Sequence, residues 1–286
     1  MDMWIVNILN GISYSFILFL IAIGLSLILG VMGILNLSHG AFYLIGAYIM
    51  IEATACGINF GLAILAGAVV SGLLGLFAER LFLRHLHKLY NEQVLITLGL
   101  VYIFENISLW IWGPWPKMSS APPSLSGSIS IGDYSFPVYR FILIIIGIVI
   151  ALSLYLLQEK TRYGAILRAG MDNNIMTIGL GINYGRIACS VFVLGIFIAG
   201  FAGAIASPML GAYLGASMDM LQLALIVVVV GGMGTVQGTL IGALVIGMID
   251  YFGKTFFPDF AMFTIYFALI VMLLIRPNGI LGRKVV

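Results

Sequence analysis

An amide, a hydroxyl and an imidazole lie close together in an otherwise apolar part of the chain, at Asn36, Ser38 and His39, and Gly33 and Gly40 bracket them. Polar groups inside hydrocarbon need a hydrogen-bonding partner or water, because leaving them unpaired costs free energy. We predict that these residues form a break between two helices, where free backbone groups can meet a zwitterionic solute or gate a path. The alternative is a plain interhelical turn in which Asn36 and Ser38 cap the next helix.

The segment 159–186 is the one long polar interruption between apolar segments of membrane length. It contains six charged residues, and glycines are spaced through it before Gly185. These residues are Glu159, Lys160, Arg162, Arg168, Asp172, Arg186, Gly164, Gly170, Gly179 and Gly181. A run compatible with a helix lies between these glycines. We therefore predict a charged platform at one membrane face, with a short helix inside Gly164–Gly181 that receives a partner from the cytosol.

Other ionisable residues are fewer and more scattered. Glu105 lies well inside an apolar segment, where a carboxylate is a functional candidate, although a paired structural contact is an equal alternative. Asp250 precedes Lys254 by four residues, which predicts an ion pair on one helix face. The run 79–88 is interpreted as a cytoplasmic anchor that contacts anionic lipid, and His85 within it as an anchor residue with no metal-binding role.

Composition fixes the class of protein. Hydrophobic residues make up 62% of the chain and charged residues 8%, whereas soluble proteins have about a quarter charged. We predict an all-α fold, a polytopic transmembrane helical bundle of about 8 spans (range 7–9) with broken or re-entrant helices, in a single permease domain over 1–286. The predicted spans are Ile12–Leu29, Ala41–Cys56, Phe60–Leu83, Val94–Trp112, Val138–Leu157, Ile187–Ala206 and Phe260–Ile275.

Two further apolar pieces, Met220–Gly231 and Thr239–Phe252, flank a glycine-rich stretch. Each is predicted to be short for a full crossing. They form either two tilted or broken spans or a re-entrant pair that faces a cavity, since irregular backbone at membrane depth must be buried in protein or lie beside water.

The distribution of Lys and Arg predicts the orientation, because these residues are enriched in cytoplasmic loops. Ten cations are predicted to lie on one side of the membrane: Arg80, Arg84, Lys88, Lys160, Arg162, Arg168, Arg186, Arg276, Arg283 and Lys284. Three are predicted to lie on the other side: Lys117, Arg140 and Lys254. The first side is therefore cytoplasmic and holds the coupling loop 159–186 and the C-terminus, and the N-terminus lies outside. In the external loop 113–137, Gly132-Asp133 predicts a small hairpin. This loop either caps the outer mouth or docks an extracytoplasmic partner.

Four sequence blocks carry a resemblance to a known family. Gly-x-x-Asn-Leu-Ser-His-Gly-Ala at 33–41, followed by Gly46-Ala47-Tyr48, resembles the signature of permease subunits of branched-chain amino-acid ABC importers, in particular the shorter H-type permease. The segment 161–183 resembles the coupling segment of that family, 231–238 its glycine-rich motif and 276–282 its C-terminal ending. Thr177 departs from the family, since many relatives have Ala there.

The resemblance assigns roles to individual residues. It implies that the ATPase-coupling residues are Thr161, Tyr163, Gly164, Arg168, Ala169, Asp172, Asn173, Gly179 and Gly181. The candidate translocation-path residues are Asn36, Ser38, His39, Gly40, Glu105, Gly232 and Gly234. No residue is assigned to a metal.

The resemblance also implies function and partners. It implies a multi-pass permease in a bacterial or archaeal cytoplasmic membrane that moves Leu, Ile and Val through the lipid bilayer. The implied partners are two ATP-binding subunits, a homologous second permease (in a heterodimer, or a copy of this chain in a homodimer) and an extracytoplasmic substrate-binding protein, with no nucleic acid. The chain itself binds no cofactor, and ATP is used by the partner subunits. Members of the same family are associated with urea and short amides, and more distant relatives with sugars.

Two other classes of function compete with the ABC importer. No G-x-x-x-x-G-K-[ST] loop is present to hold nucleotide phosphates, so the chain is predicted to have no ATPase site and not to be an enzyme. An ion-coupled secondary transporter needs a relay of buried acids and bases, for which only Glu105 is a candidate. A membrane-embedded enzyme using His39 lacks carboxylates or cysteines at useful spacing. The ABC importer is therefore favoured.

Overall fold

The computed structural model describes residues 2–86 and 89–282. Its α-helices are α1 (Asp2–Met32), α2 (His39–Ala55), α3 (Phe60–Leu81), α4 (Tyr90–Trp112), α5 (Val138–Lys160), α6 (Arg162–Asp172), α7 (Asn174–Gly179), α8 (Tyr184–Leu210), α9 (Ala216–Gly231), α10 (Val236–Phe256) and α11 (Ala261–Ile275). Short 3-10 helices occupy Leu83–Leu86, Pro123–Leu125 and Pro258–Phe260. Strands β1 (Ser128–Ile131) and β2 (Tyr134–Pro137) form the predicted antiparallel hairpin.

Seven helical segments are long and apolar enough to cross a membrane: α1, α3, α4, α5, α8, α10 and Pro258–Ile275. This confirms the prediction of a polytopic helical bundle. The predicted span Ala41–Cys56 corresponds to α2, whose 17 residues extend about 25 Å, less than the roughly 30 Å of a bilayer core. The prediction that Thr239–Phe252 is short was wrong. This piece belongs to the 21-residue α10, which extends into the polar and glycine-containing residues that flank it.

Helix α1 forms the centre of the bundle. Every residue from Ser13 to Ile28 is buried, and α1 packs against α5, α8, α9 and α10. Glycines allow the helix backbones to meet directly. A Cβ atom added to Gly195 of α8 would lie 2.8 Å from the carbonyl oxygen of Gly24 in α1, so neither position has room for a side chain. The segment that contains α11, in contrast, is only 17% buried and faces outward.

The bundle has two ends, which we call the hairpin face and the α6–α7 face. The hairpin face carries β1 and β2, the start of α1 and the ends of α4 and α8, joined where Lys117 and Ala212 exchange backbone hydrogen bonds. The α6–α7 face carries α6 and α7, the ends of α3 and α5 and the start of α8. The described cations divide between these two ends in the same two groups as in the sequence analysis. Lys88, Arg283 and Lys284, and with them part of the predicted 79–88 anchor, fall outside the described residues.

Candidate functional site

The chain leaves helical geometry between α1 and α2, as predicted. Asn36 and Ser38 are fully buried in this break. The Asn36 Oδ1 atom accepts hydrogen bonds from the Ser38 hydroxyl (2.6 Å) and the Ser38 backbone N–H (3.1 Å). The Leu37 N–H donates to Thr97 Oγ1 on α4 at 3.2 Å. The Ser38 side chain makes no capping bond to α2, so Asn36 orders the turn itself, and the alternative in which Ser38 caps the helix is wrong.

His39 begins α2 and is also fully buried. Its Nε2 atom lies 2.9 Å from the carbonyl oxygen of Ile21. A carbonyl only accepts, so Nε2–H must donate, which joins the start of α2 to the middle of α1. The His39 Nδ1 and Asn36 Nδ2 atoms have no hydrogen-bond partner among the described residues. Buried polar atoms of this kind are uncommon in a packed interior, which marks the break as a polar centre within the bundle.

The first turns of α2 and α9 meet at this centre. A Cβ atom on Gly40 would overlap the Ser217 carbonyl oxygen in the first turn of α9. The Ser217 hydroxyl donates to Glu105 Oε1 of α4. Glu105 is thus paired with the first turn of α9. The structure therefore brings together Asn36, Ser38, His39, Gly40 and Glu105.

The other two candidate path residues lie elsewhere. Gly232 and Gly234 occupy the break between α9 and α10 at the α6–α7 face, with φ of 103° and 79°. Such positive φ values favour glycine. The Gly234 N–H donates to Ser26 Oγ of α1 at 3.0 Å, and the Gly234 carbonyl accepts from Gln158 Nε2 of α5 at 2.7 Å. Together with a bond from the Val236 N–H to Gln158 Oε1 at 3.1 Å, these contacts form what we call the Gln158 junction.

Sequence reasoning missed Gln158 and Ser26. Gln158 is 5% exposed and Ser26 is fully buried. Gln158 lies between the predicted span Val138–Leu157 and the predicted platform 159–186, so it was assigned to neither. A lone serine in the long apolar run of α1 was the available signal for Ser26, since buried hydroxyls in spans need partners.

The C-terminal sequence block packs on the glycine-rich one. The N–H groups of Ile280 and Leu281 donate to the carbonyl oxygens of Val230 (2.8 Å) and Gly231 (3.1 Å). A Cβ atom on Gly279 would lie 2.8 Å from the Gly232 nitrogen. These contacts satisfy carbonyl groups at the end of α9 that have no partner inside the helix. The two blocks, far apart in sequence, therefore form one structural unit.

Helix α6 is fixed to the transmembrane helices on several sides. Thr161 caps it, with Oγ1 accepting from the Gly164 N–H at 3.0 Å. The Arg168 guanidinium donates to the Gln158 carbonyl oxygen and lies 3.2 Å from a Glu159 carboxylate oxygen. The Tyr163 hydroxyl lies 2.6 Å from Ser190 Oγ on α8.

Two glycines of α6 are packed closely against neighbouring groups. Gly164 has no room for a Cβ atom against the carbonyl oxygens of Leu157 and Gln158, and Gly170 has none against the Tyr184 ring. Tyr184 in turn donates from its hydroxyl to the Val31 carbonyl oxygen at 2.6 Å. The position of α6 is therefore tied to the ends of α5, α8 and α1.

Helix α7 shows the opposite character and presents apolar side chains to the outside. The Asn173 N–H donates to the Ala169 carbonyl oxygen at 2.9 Å and closes the last turn of α6. The Asn173 Oδ1 atom caps α7 by accepting from the Met176 N–H at 3.0 Å. The predicted short helix is thus two helices divided at Asn173, directly after Asp172. Four large apolar side chains of this part are more than half exposed: Ile175, Met176, Ile178 and Leu180.

Two further predicted coupling residues, Gly179 and Gly181, lie at the end of α7. Gly179 is the last residue of α7 and has open space around it, and Gly181 follows with φ of 81°. The Thr177 side chain is buried and donates to the Asn173 carbonyl oxygen at 2.9 Å. The Thr177 side chain therefore points inward, away from the exposed apolar surface.

The chain forms a bundle of apolar helices with a polar break at its centre, and α7 exposes an apolar surface at one face. This is the architecture of a multi-pass membrane permease. The family model "Branched-chain amino acid transport system / permease component" matches residues 7–275, and the chain belongs to this family. The high-affinity branched-chain amino acid transport system permease protein BraD of Pseudomonas aeruginosa is 28% identical, over 97% of this chain and 95% of BraD. The permease protein LivH of Escherichia coli K12 is 28% identical, over 96% and 94%.

The fold also resembles a solved structure, described as PsaBC from Streptococcus pneumoniae in complex with Fab. The TM-score is 0.55 at 14% identity, covering 93% of this chain and 89% of that chain. At this identity the likeness concerns the fold alone.

Proposed function

We propose that this chain is the membrane-spanning permease subunit of an ATP-driven importer of branched-chain amino acids (Leu, Ile, Val). The observation that carries the proposal is the family match over 7–275 together with the exposed apolar surface of α7. ATP is bound and hydrolysed by separate subunits, and this chain holds no cofactor and no ATPase site. The α6–α7 face lies in the cytoplasm, in a bacterial or archaeal cytoplasmic membrane, and the N-terminus lies outside.

The ATP-binding subunits dock on α7. Exposed fractions of 79% for both Ile175 and Leu180 are unfavourable for a helix that faces water, because apolar surface there gains free energy when a partner covers it. The capping bonds at Asn173 hold α7 in place before any partner arrives. A preordered surface of this kind loses little conformational entropy on binding.

Movement of α7 reaches the centre of the bundle through hydrogen-bonded contacts. Arg168 joins α6 to the main chain of Gln158, and the Gln158 side chain joins α5 to the break between α9 and α10. Gly234 then contacts Ser26 on α1, the helix that holds His39. We infer that ATP-driven displacement of α7 shifts α9 and α1 against each other and changes access to the polar centre.

The remaining partners are assigned to other surfaces. The partly exposed face of α4, with Glu105 and the exposed Asn106, is proposed to meet a homologous second permease, because an amide facing lipid is costly. The second permease is a different chain in a heterodimer, with a homodimer as the alternative. The hairpin face receives the substrate-binding protein, which supplies most of the selectivity, so that urea or short amides are the alternative substrates.

The docking proposal is tested by copurification. A tagged chain is expressed with its ATP-binding subunits, and Ile175→Ser with Leu180→Ser is compared with Met118→Ser, an apolar residue on the hairpin face that is also mostly exposed (65%). Losing two apolar contacts of about 1.5–3 kcal/mol each weakens association on the order of 100-fold or more. The α7 double variant should insert in the membrane and lose the ATP-binding subunits, while Met118→Ser retains them. Retention by the α7 variant would contradict docking at α7.

A further inference from the structure

A groove of about 880 Å³ opens on the α6–α7 face, between the end of α3 and the start of α8. Three arginines surround its entrance. Arg80 lies in the last turn of α3, Arg84 in the 3-10 turn that follows, and Arg186 in the first turn of α8. All three side chains are exposed. The groove is separate from the exposed apolar surface of α7 and from the polar centre.

The charge at this entrance is not neutralised within the described part of the chain. None of the three guanidinium groups makes a hydrogen bond or salt bridge to residues 2–86 or 89–282. Glu79 is the one acidic residue in the groove wall. It is 2% exposed, and the Cys189 side chain lines the same wall. Even with Glu79 ionised, three guanidinium groups against one carboxylate leave the wall positive.

The groove becomes apolar towards the membrane interior. Leu76 lies one turn before Arg80 on α3. Three further apolar lining residues lie about two and a half to three and a half turns after the start of α8: Val193, Leu194 and Phe197. Both helices are membrane-spanning candidates. The order along the membrane normal is therefore cationic at the surface and apolar below, which is the complement of a phospholipid.

We propose that this groove binds an anionic phospholipid. The phosphate and acidic headgroup contact Arg80, Arg84 and Arg186, and an acyl chain lies along the apolar wall between α3 and α8. Guanidinium groups bind phosphate oxygens with paired N–H donors, so arginine suits this role. A free phosphate would leave the apolar wall empty, and a zwitterionic lipid would lack the charge that the entrance matches. The proposal stands apart from the transport function and does not depend on it.

Binding is measured by native mass spectrometry of the full-length chain in detergent, titrated with phosphatidylglycerol or phosphatidylcholine of identical acyl chains. One phosphatidylglycerol should bind in clear preference to phosphatidylcholine. Each arginine near an anionic headgroup contributes about a five-fold change in affinity, so Arg80→Gln, Arg84→Gln and Arg186→Gln together should weaken binding on the order of 100-fold. Arg162→Gln is the matched control, because Arg162 is exposed on the same face outside the groove.

A second variant predicts the opposite sign. Glu79→Gln replaces the one acidic side chain of the groove wall by a neutral one of nearly the same shape, so it should strengthen phosphatidylglycerol binding severalfold. This variant keeps the proposal testable if the triple variant fails to fold. Size-exclusion profiles of all variants report folding.

Four results would overturn the proposal. They are equal binding of the two lipids, unchanged phosphatidylglycerol binding in a folded triple variant, an equal loss in Arg162→Gln, and weaker binding in Glu79→Gln. The titration is repeated on the complex with the ATP-binding subunits and the second permease. Retained lipid supports a lipid site, whereas displacement of the lipid on assembly would assign the groove to a protein contact instead.

Discussion

Replacing Gln158 tests the connection between α6 and the centre of the bundle. The Gln158 side chain makes two hydrogen bonds across the Gln158 junction, to the Gly234 carbonyl oxygen (2.7 Å) and from the Val236 N–H (3.1 Å). Gln158→Ala leaves both backbone groups buried without a partner. The Arg168 contact uses the Gln158 main chain and therefore persists in the variant. The substitution thus breaks the junction and leaves α6 anchored.

The magnitude follows from the two bonds. A buried backbone group left unsatisfied costs about 1–3 kcal/mol in soluble proteins, while hydrogen bonds in membrane proteins average about 0.6 kcal/mol. Together the two losses destabilise the junction by roughly 1–6 kcal/mol. Gln158→Glu should be intermediate in hydrogen bonding, because an ionised carboxylate still accepts from the Val236 N–H but cannot donate to the Gly234 carbonyl oxygen.

The assay compares ATP hydrolysis with leucine uptake in proteoliposomes that contain the complete transporter. Gln158→Ala should reduce leucine imported per ATP hydrolysed about ten-fold or more, and it should lower the melting temperature of the complex. Gln237→Ala is the matched control, since Gln237 is exposed in the same sequence block and should leave both quantities unchanged. Wild-type coupling in a correctly assembled Gln158→Ala complex would refute this part of the mechanism.

Further predictions concern the polar centre. Gly40→Ala places a methyl group on the Ser217 carbonyl oxygen and should reduce uptake at least ten-fold, whereas Gly99→Ala, with open space around it, should retain wild-type uptake; equal uptake in both would show that α2 and α9 need not touch. Asn36→Ala should impair uptake more than His85→Ala, because only Asn36 is buried, and the reverse order would contradict the role of the break. Leucine should bind the purified permease–ATPase complex weakly in the absence of the binding protein, and micromolar stoichiometric binding by calorimetry would establish a dedicated intramembrane site.

Much of the fold could be predicted because the apolar segments and glycine-rich breaks are explicit in the sequence. The break at Asn36 and the hairpin around Gly132 were both located correctly. The length of α10 was predicted wrongly. Hydropathy treats the polar residues Gln237 and Lys254 as the limits of the apolar segment, whereas the helix continues through both. Similarly, the predicted span Ala41–Cys56 corresponds to α2. Because α2 begins only after the break at Asn36, it is too short to cross a bilayer core by itself.

The site was predicted less completely than the fold. Sequence blocks predicted a coupling segment at 159–186. The pairing of the C-terminal block with the glycine-rich one, in contrast, depends on contacts between residues about 50 positions apart, such as Ile280 and Val230. The junction at Gln158 likewise needs three helices to be placed first. Gly232 and Gly234 were grouped with Asn36 by resemblance, and the structure puts them at the other end of α9. Such long-range proximity cannot be read from spacing in one chain.

The most direct test of the proposed function is ATP-driven uptake by the purified complex. The chain is reconstituted with its ATP-binding subunits, second permease and binding protein, and uptake of labelled leucine is compared with that of urea and acetamide. Leucine should accumulate only when ATP and the binding protein are both supplied, and the Ile175→Ser, Leu180→Ser variant should abolish uptake. Leucine accumulation that needs no ATP-binding subunit, or that is driven by an ion gradient alone, would contradict the assignment of this chain as an ABC importer permease.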